Sequence, residues 1–360
     1  MDCRRTLRWV TVRLLSALLV AALVASALYA AELGFRLADP QRRLPPCNQY
    51  IDGVRYSWGQ PIHRNRLGFR SREIGLKPSG AFRIMVLGDS MTWGAGIAAE
   101  QRYTDILEQR LNADFQTHKF EVHNFGVSGG PMILHARILQ NYIGIVQPDL
   151  IVVGFCYNDT DTNMKRPSGW CPEKQRFDDK CGPFLERMSG CLTRLHLAHI
   201  GVRTERAVRR IAELCGVYPD SISVIDRTYD PNSAEWRTFV RALERIKYIS
   251  DTCGLPPPVF ASLNHGVYLR TPTDYARPDP LVSTFLRWHR QAEIAAGTQG
   301  YIVVNFHQEI ADRLKGRSLV VNPLDNHPSP ALHQLYADTL HPIVRTIVER
   351  EGRLATETPP

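Results

Sequence analysis

Residues suited to acyl transfer are scattered along the sequence: a serine in Gly88-Asp89-Ser90, a glycine-rich Asn124-Phe-Gly-Val-Ser-Gly129, an amide in Gly154-Phe-Cys-Tyr-Asn158-Asp159, and Asp325-Asn326-His327-Pro328-Ser329 near the end. An ester carbonyl needs a nucleophile, a base and donors for the oxyanion formed on attack. Ser90 is the candidate nucleophile. His327 suits the base, because a neutral imidazole accepts the serine proton near pH 7 and later returns it to the leaving alcohol. Asp325, two residues earlier, would orient the imidazole and stabilise its protonated form. Cys156 is a rival nucleophile by type, but no sequence block pairs it with a histidine, and it reads as a buried structural thiol.

These positions need a scaffold. The apolar, partly β-branched run from Arg83 into Gly88-Asp89-Ser90, followed by a helical pattern from Tyr103, reads as strand, tight turn and helix. That places Ser90 at the carboxyl end of a strand, where open α/β sheets bind ligands. Strands are expected at Ile84–Leu87, Phe120–Asn124, Leu150–Val153, Val259–Ser262 and Tyr301–Asn305, with helices at Tyr103–Leu111 and Met132–Val146. Five strands separated by helical segments predict an α/β fold, a parallel sheet with helices on both faces. The closing helix should start at Ser329-Pro330 and run through Leu332, Leu335, Tyr336, Ile343 and Ile347, kinking at Pro342. The alternation breaks between about residues 160 and 230, a Cys-rich insertion expected on the catalytic face. Within it Leu195–Leu214 reads as a helix with Arg203, Arg206 and Arg210 on one side, a solvated face or a contact for lipid headgroups or an acidic substrate. Asn65 to Arg70, ahead of the first strand, reads as a surface turn, a role for Arg70 beside the site being the alternative.

In order and spacing the four blocks resemble those of the SGNH (GDSL-type) esterase family, over about 280 residues from Asn65 to the last helix. The resemblance implies a three-layer α/β/α, flavodoxin-like fold around a parallel five-stranded sheet. It implies catalysis by Ser90, His327 and Asp325, and an oxyanion hole formed by the Ser90 and Gly129 backbone amides and the Asn158 side chain. Two departures stand out. The commoner pattern sets the aspartate three residues before the histidine, where this chain has Leu324, so a backbone carbonyl is the alternative partner of His327. Three residues, rather than the family's frequent single one, separate Gly154 from Asn158. The implied function is a serine esterase or acyltransferase acting on O-acyl, foremost O-acetyl, groups of extracytoplasmic carbohydrate. A lysophospholipase- or lipase-type esterase, and a non-catalytic membrane-tethered subunit of a polysaccharide assembly system, are the alternatives. No metal and no cofactor is expected.

Residues 14 to 31 form an uncharged run of Leu, Ala and Val preceded by Arg4, Arg5, Arg8 and Arg13. Two readings fit: a membrane anchor with the N-terminus in the cytoplasm, or a signal peptide cut near Ala25-Ser26-Ala27. Either exports the rest. Residues 32–62, with Pro40, Pro45, Pro46 and Pro61, read as a stalk or wrapping segment, 63–350 as the catalytic domain and 351–360 as a tail. The net charge of +8 suits an anionic membrane surface or acidic polymer as well as evenly spread surface charge. No nucleic-acid motif is present, and the expected partners are an acylated carbohydrate or lipid substrate and the membrane. Export permits disulfides. Cys171, Cys181 and Cys191, evenly spaced, look like staples of the insertion. With Cys3 cytoplasmic, the remaining seven cysteines leave at least one thiol unpaired or bridging between chains.

Overall fold

The computed structural model describes residues 49–51, 54–115, 118–162, 221–263, 280–322 and 325–350, together with helical positions among residues 13–33. The chain first forms a small antiparallel sheet from β1 (Gln49–Ile51), β2 (Val54–Ser57) and β3 (Gln60–Ile62). The main sheet comprises β4 (Phe82–Gly88), β5 (Phe120–Gly126), β6 (Leu150–Phe155), β7 (Val259–Ser262) and β8 (Ile302–Asn305), all parallel, in the order β5-β4-β6-β7-β8. Counted among themselves these strands run 2-1-3-4-5, the flavodoxin-like order, whose reversal between β4 and β6 opens a crevice at the carboxyl edge. The expected α/β, three-layer, five-stranded fold is the one observed.

The central strands are apolar along their whole length because both faces are covered. Ile84 to Leu87 and Leu150 to Val153 are inaccessible to solvent. The turn-length helix α1 (Ser90–Trp93) follows β4, and α2 (Tyr103–Asp114) leads to β5. Helix α3 (Met132–Val146) leads to β6, α4 (Ser221–Thr228) and α5 (Ala234–Thr252) precede β7, α6 (Pro280–Thr298) precedes β8, and α7 (His307–Arg313) follows it. The chain closes with a β-ribbon, β9 (Val320–Asn322) and β10 (Asp325–Pro328), and the long α8 (Pro330–Arg350), which contains Pro342. Helices α3, α5 and α6 pack together on one face of the sheet, and α2, α7 and α8 on the other.

Among the described residues no helix is long and apolar enough to cross a membrane. The run from 14 to 31 lies partly outside them; residues 18–30 are helical, with Leu19, Leu23 and Leu28 exposed. Cys156 and Cys253 are both free thiols. The other six cysteines, the expected staples among them, and the Leu195–Leu214 segment lie outside the described residues.

The amino edge of the sheet, opposite the crevice, is locked by a buried ion pair. Arg83, 1% exposed, donates to Glu121 at 2.7 Å across the β4–β5 register and to the Val146 and Gly75 carbonyls at 3.0 Å each. Burial alone would raise the Glu121 pKa. Hydrogen bonds from Lys119 and Arg83 and the charges of both outweigh it and bring it down to about 2. A depressed carboxyl pKa stabilises the fold above the unfolded value and loses that contribution as pH falls through the folded one. Glu121→Gln should therefore cost about 3 kcal/mol at neutral pH. In denaturant titrations the difference from wild type should shrink as pH falls from about 4.5 towards 2.

Candidate active site

Three glycines lie side by side across the carboxyl edge of the sheet: Gly88 on β4 pairs in register with Gly126 on β5 and Gly154 on β6. Helix α1 sits directly on this row. A Cβ on Gly88 would lie 2.1 Å from Thr92 Oγ1, one on Gly126 2.4 Å from the Trp93 backbone nitrogen, and one on Gly154 2.4 Å from Thr92 Oγ1. None of these approaches tolerates a side chain. Asn124 adds hydrogen bonds from below, its Nδ2 donating to the Thr92 carbonyl at 2.7 Å and to Thr104 Oγ1 at 3.0 Å. The Thr92 hydroxyl in turn hydrogen-bonds the Tyr103 hydroxyl at 2.9 Å. Ser90 opens α1 as its first residue, nearly buried at 7% exposure.

Beneath Ser90 lies Asp89. Its Oδ1 accepts the Met91 amide at 2.8 Å, capping α1, and its Oδ2 accepts the Ser90 hydroxyl at 3.2 Å. Burial raises the Asp89 pKa against these hydrogen bonds and the charge of nearby His327. Asp159 lies in the turn after β6, where its Oδ2 accepts the Cys156 amide at 3.1 Å. Burial and the Asp89 charge push its pKa well above the usual carboxylate range. His135, fully buried with Nε2 3.7 Å from Asp159 Oδ1, is held neutral by burial, its pKa lowered to about 3. The Cys156 thiol is pushed up by burial and by both carboxyls, so it stays protonated and inert, as its apolar context in the sequence implies.

The ribbon β9–β10 brings His327 and Asp325 to the same place, for β10 packs against α1. Asp325 Oδ1 accepts both the Nδ1–H and the backbone amide of His327, the latter at 3.0 Å. The short Asp-x-His spacing works because one carboxylate oxygen reaches backbone and ring of the same residue. Burial would raise the Asp325 pKa, but hydrogen bonds from His327 and Trp58 and the charge of His327 lower it to about 2, keeping it ionised. Gly129, in the loop after β5, has a left-handed backbone (φ 71°) that favours glycine. That loop is fixed at its start by the Val127 amide donating to the Gly88 carbonyl at 2.8 Å. The Met132 amide, just after the loop, donates to the Asp159 carbonyl at 2.9 Å, tying it to the turn that carries Asn158. Ser90, Gly129 and Asn158 thus follow the carboxyl ends of three adjacent strands, and His327 and Asp325 arrive on the ribbon.

Two further contributors lie outside the four sequence blocks. Arg70, expected in a surface turn, is instead 2% exposed, and its guanidinium donates to the carbonyls of Trp93 (3.3 Å), Gly94 (2.5 Å) and Ile97 (2.7 Å). It also stands 5.1 Å from the centre of the Trp93 ring. Burial and the charge of Arg102 lower its pKa to about 9. The segment does turn, the Gly68 amide donating to the Asn65 carbonyl at 2.8 Å, but Arg70 is not at the surface: it takes the alternative placement, because the carbonyls ending α1 need a donor. Trp58, on the β2–β3 hairpin, donates to Asp325. Residues 54–62 of the segment read as a stalk or wrapping thus reach the site.

A doubly wound parallel sheet, with a serine at the carboxyl end of its first strand and an Asp–His pair on a late ribbon, defines an α/β protein whose polar groups gather at the edge where such sheets bind ligands. The model of the GDSL-like lipase/acylhydrolase family matches residues 86–335, and the chain belongs to that family: it is a hydrolase acting on ester bonds. No curated protein matches the sequence significantly. Among solved structures it is similar to LAE5, an alpha/beta hydrolase enzyme from the metagenome of Lake Arreo, Spain, at 13% identity and TM-score 0.43, covering 74% of this chain and 96% of that one. It is also similar to TesA, at 14% identity and TM-score 0.40, covering 74% and 99%. A third is Axe2, an acetylxylan esterase from Geobacillus stearothermophilus, at 15% and 0.39, covering 74% and 94%.

The glycine row makes a sharp prediction. Gly126→Ala drives a Cβ into backbone atoms of α1, so it should cost about 2 kcal/mol or more of stability and displace Ser90. Gly144→Ala in α3, where a Cβ meets nothing within 4 Å, should be neutral or stabilise by up to about 1 kcal/mol. Thermal melts and fluorophosphonate labelling of the two variants side by side check this; equal behaviour contradicts it.

Proposed function

We propose that this GDSL-family hydrolase is a serine esterase or acyltransferase that removes or transfers O-acyl, foremost O-acetyl, groups on extracytoplasmic carbohydrate. The observation that carries the reading is the seating of Ser90 on the glycine row beside the ribbon that bears the hydrogen-bonded His327–Asp325 pair. In this reading the Ser90 oxygen attacks the ester carbonyl while His327 takes its proton, and Asp325 stabilises the imidazolium. The backbone amides of Ser90 and Gly129 and the Asn158 side chain donate to the oxyanion. His327 then returns the proton to the leaving sugar hydroxyl, and water or a second hydroxyl releases the acyl group from Ser90.

The carbohydrate substrate rests on reading the chain as exported and tethered, and on its resemblance to membrane-bound members of the family. Extracytoplasmic placement is supported by the arginine-flanked apolar run at residues 14–31, read as an anchor or a signal peptide. Protease added outside sealed cells should then digest the catalytic domain, and protection there would refute the placement.

Ser90→Ala and His327→Ala should each abolish most acetyl release, and the double variant should lose little more, because the two act as one unit. Asn158→Ala should lower kcat by roughly 10²- to 10³-fold. Assays should compare acetylated sugars with longer acyl esters. Preference for long acyl chains would favour the lipase-type alternative. Acetyl release untouched by Ser90→Ala would overturn the mechanism, and wild-type protein that releases no acyl group from any of these esters would favour a non-catalytic subunit.

A further inference from the structure

Hairpin β2–β3 turns through two residues, Trp58 and Gly59, both left-handed (φ 50° and 81°). Two-residue hairpins take this conformation readily with Asn-Gly or Gly-Gly; a bulky residue with positive φ is an outlier that persists only where its surroundings hold it. What holds Trp58 is the site. Its indole Nε1–H donates to Asp325 Oδ2 at 2.5 Å, joining positions 267 residues apart in sequence. Asp325 Oδ1 is taken by His327, so each carboxylate oxygen has its own donor.

The hairpin is fastened to the turn after α1 by independent contacts. The Gly96 amide donates to Ser57 Oγ at 3.2 Å, and a Cβ on Gly96 would lie 2.9 Å from the Trp58 ring. Ile62 packs against Trp93 and Ala95, and the Arg55 guanidinium stands 5.9 Å from the centre of the Trp93 ring. The hairpin therefore reaches both halves of the site: the segment that follows Ser90 and the carboxylate behind His327.

We propose that Trp58 is a positioning residue, whose indole N–H holds the Asp325 carboxylate in the rotation that presents Oδ1 to His327. The proposal rests on the catalytic reading of Ser90, His327 and Asp325 given above. Without the indole donor the carboxylate is fixed at one oxygen only, and the imidazole it orients gains freedom to turn away from Ser90. A hydrogen bond to an ionised group is a strong one, and its loss is felt where charge develops on the imidazole.

The test uses the full chain and an acetyl ester as probe. Trp58 is replaced by β-(3-benzothienyl)alanine, which keeps the fused-ring shape and removes only the N–H, and in a second variant by phenylalanine (Trp58→Phe). The benzothienyl protein should keep its melting temperature to within about 2 °C. Its kcat should fall about tenfold, with KM changed less than about twofold. In an Asp325→Asn background the same replacement should alter kcat by less than about twofold, since the two groups act as one unit. An unchanged kcat overturns the proposal. So does a loss undiminished in the Asp325→Asn background, a loss confined to KM, or a loss that merely follows the folded fraction in both variants. Wild-type turnover that is abolished by Ser90→Ala yet indifferent to the indole N–H defeats the role of Trp58 alone. Turnover indifferent to Ser90→Ala defeats the catalytic reading, and the positioning role falls with it.

Discussion

Everything at the carboxyl edge depends on the absence of three side chains. Gly88, Gly126 and Gly154 stand in register on neighbouring strands, and the first turn after β4 rests on them at distances no Cβ permits. Close approach puts the Thr92 hydroxyl within reach of Tyr103 and the Thr92 carbonyl within reach of Asn124, so a four-residue helix, far too short to be stable by itself, has one position. Ser90 inherits that position. The strand order adds the second half of the geometry, because the crevice opens where that order reverses, between β4 and β6.

Three carboxyls near this edge illustrate how environment rather than residue type sets charge. Asp89 and Asp159 are fully buried and near one another, and each is pushed towards its neutral form. Asp325 is only partly buried, and the donors on both its oxygens outweigh that burial and hold it ionised, with a pKa of about 2. An ionised Asp325 stabilises a proton arriving on His327. Burial works against charge on both Asp89 and Asp159, and backbone hydrogen bonds oppose it at each. Their hydrogen bonds remain structural, capping α1 and closing the turn after β6.

The closing elements have a mechanical role. Helix α8 packs on α2, and Tyr336 donates to the Leu263 carbonyl at 2.5 Å, tying the last helix to the end of β7. Ser329, between β10 and α8, donates to the Ser318 carbonyl at 2.8 Å and receives the Leu332 amide at 3.3 Å. The ribbon carrying Asp325 and His327 is thereby anchored at its downstream end. The N-terminal hairpin fastens the opposite side through Trp58, so the pair is held by segments from both ends of the chain.

Much of this was legible in the sequence. The five parallel strands and Met132–Val146 follow from apolar runs and helical periodicity, which are local properties, and the four blocks name Ser90, Gly129, Asn158, Asp325 and His327 by residue type and order. Boundaries moved by a residue or two where strands run on into the glycine row, as β4 and β5 do through Gly88 and Gly126. Local signals could not reveal that those glycines lie side by side, since register is decided by how strands pair. Nor could they reveal that Arg70 is buried beneath the end of α1, or that Trp58 meets Asp325. The sequence by itself determined which chemical groups are present and which stretches become strands and helices, because side-chain type and periodicity act within a few residues. Only the tertiary structure decided which groups meet, because a hydrogen bond across 267 residues depends on the path of all the chain between.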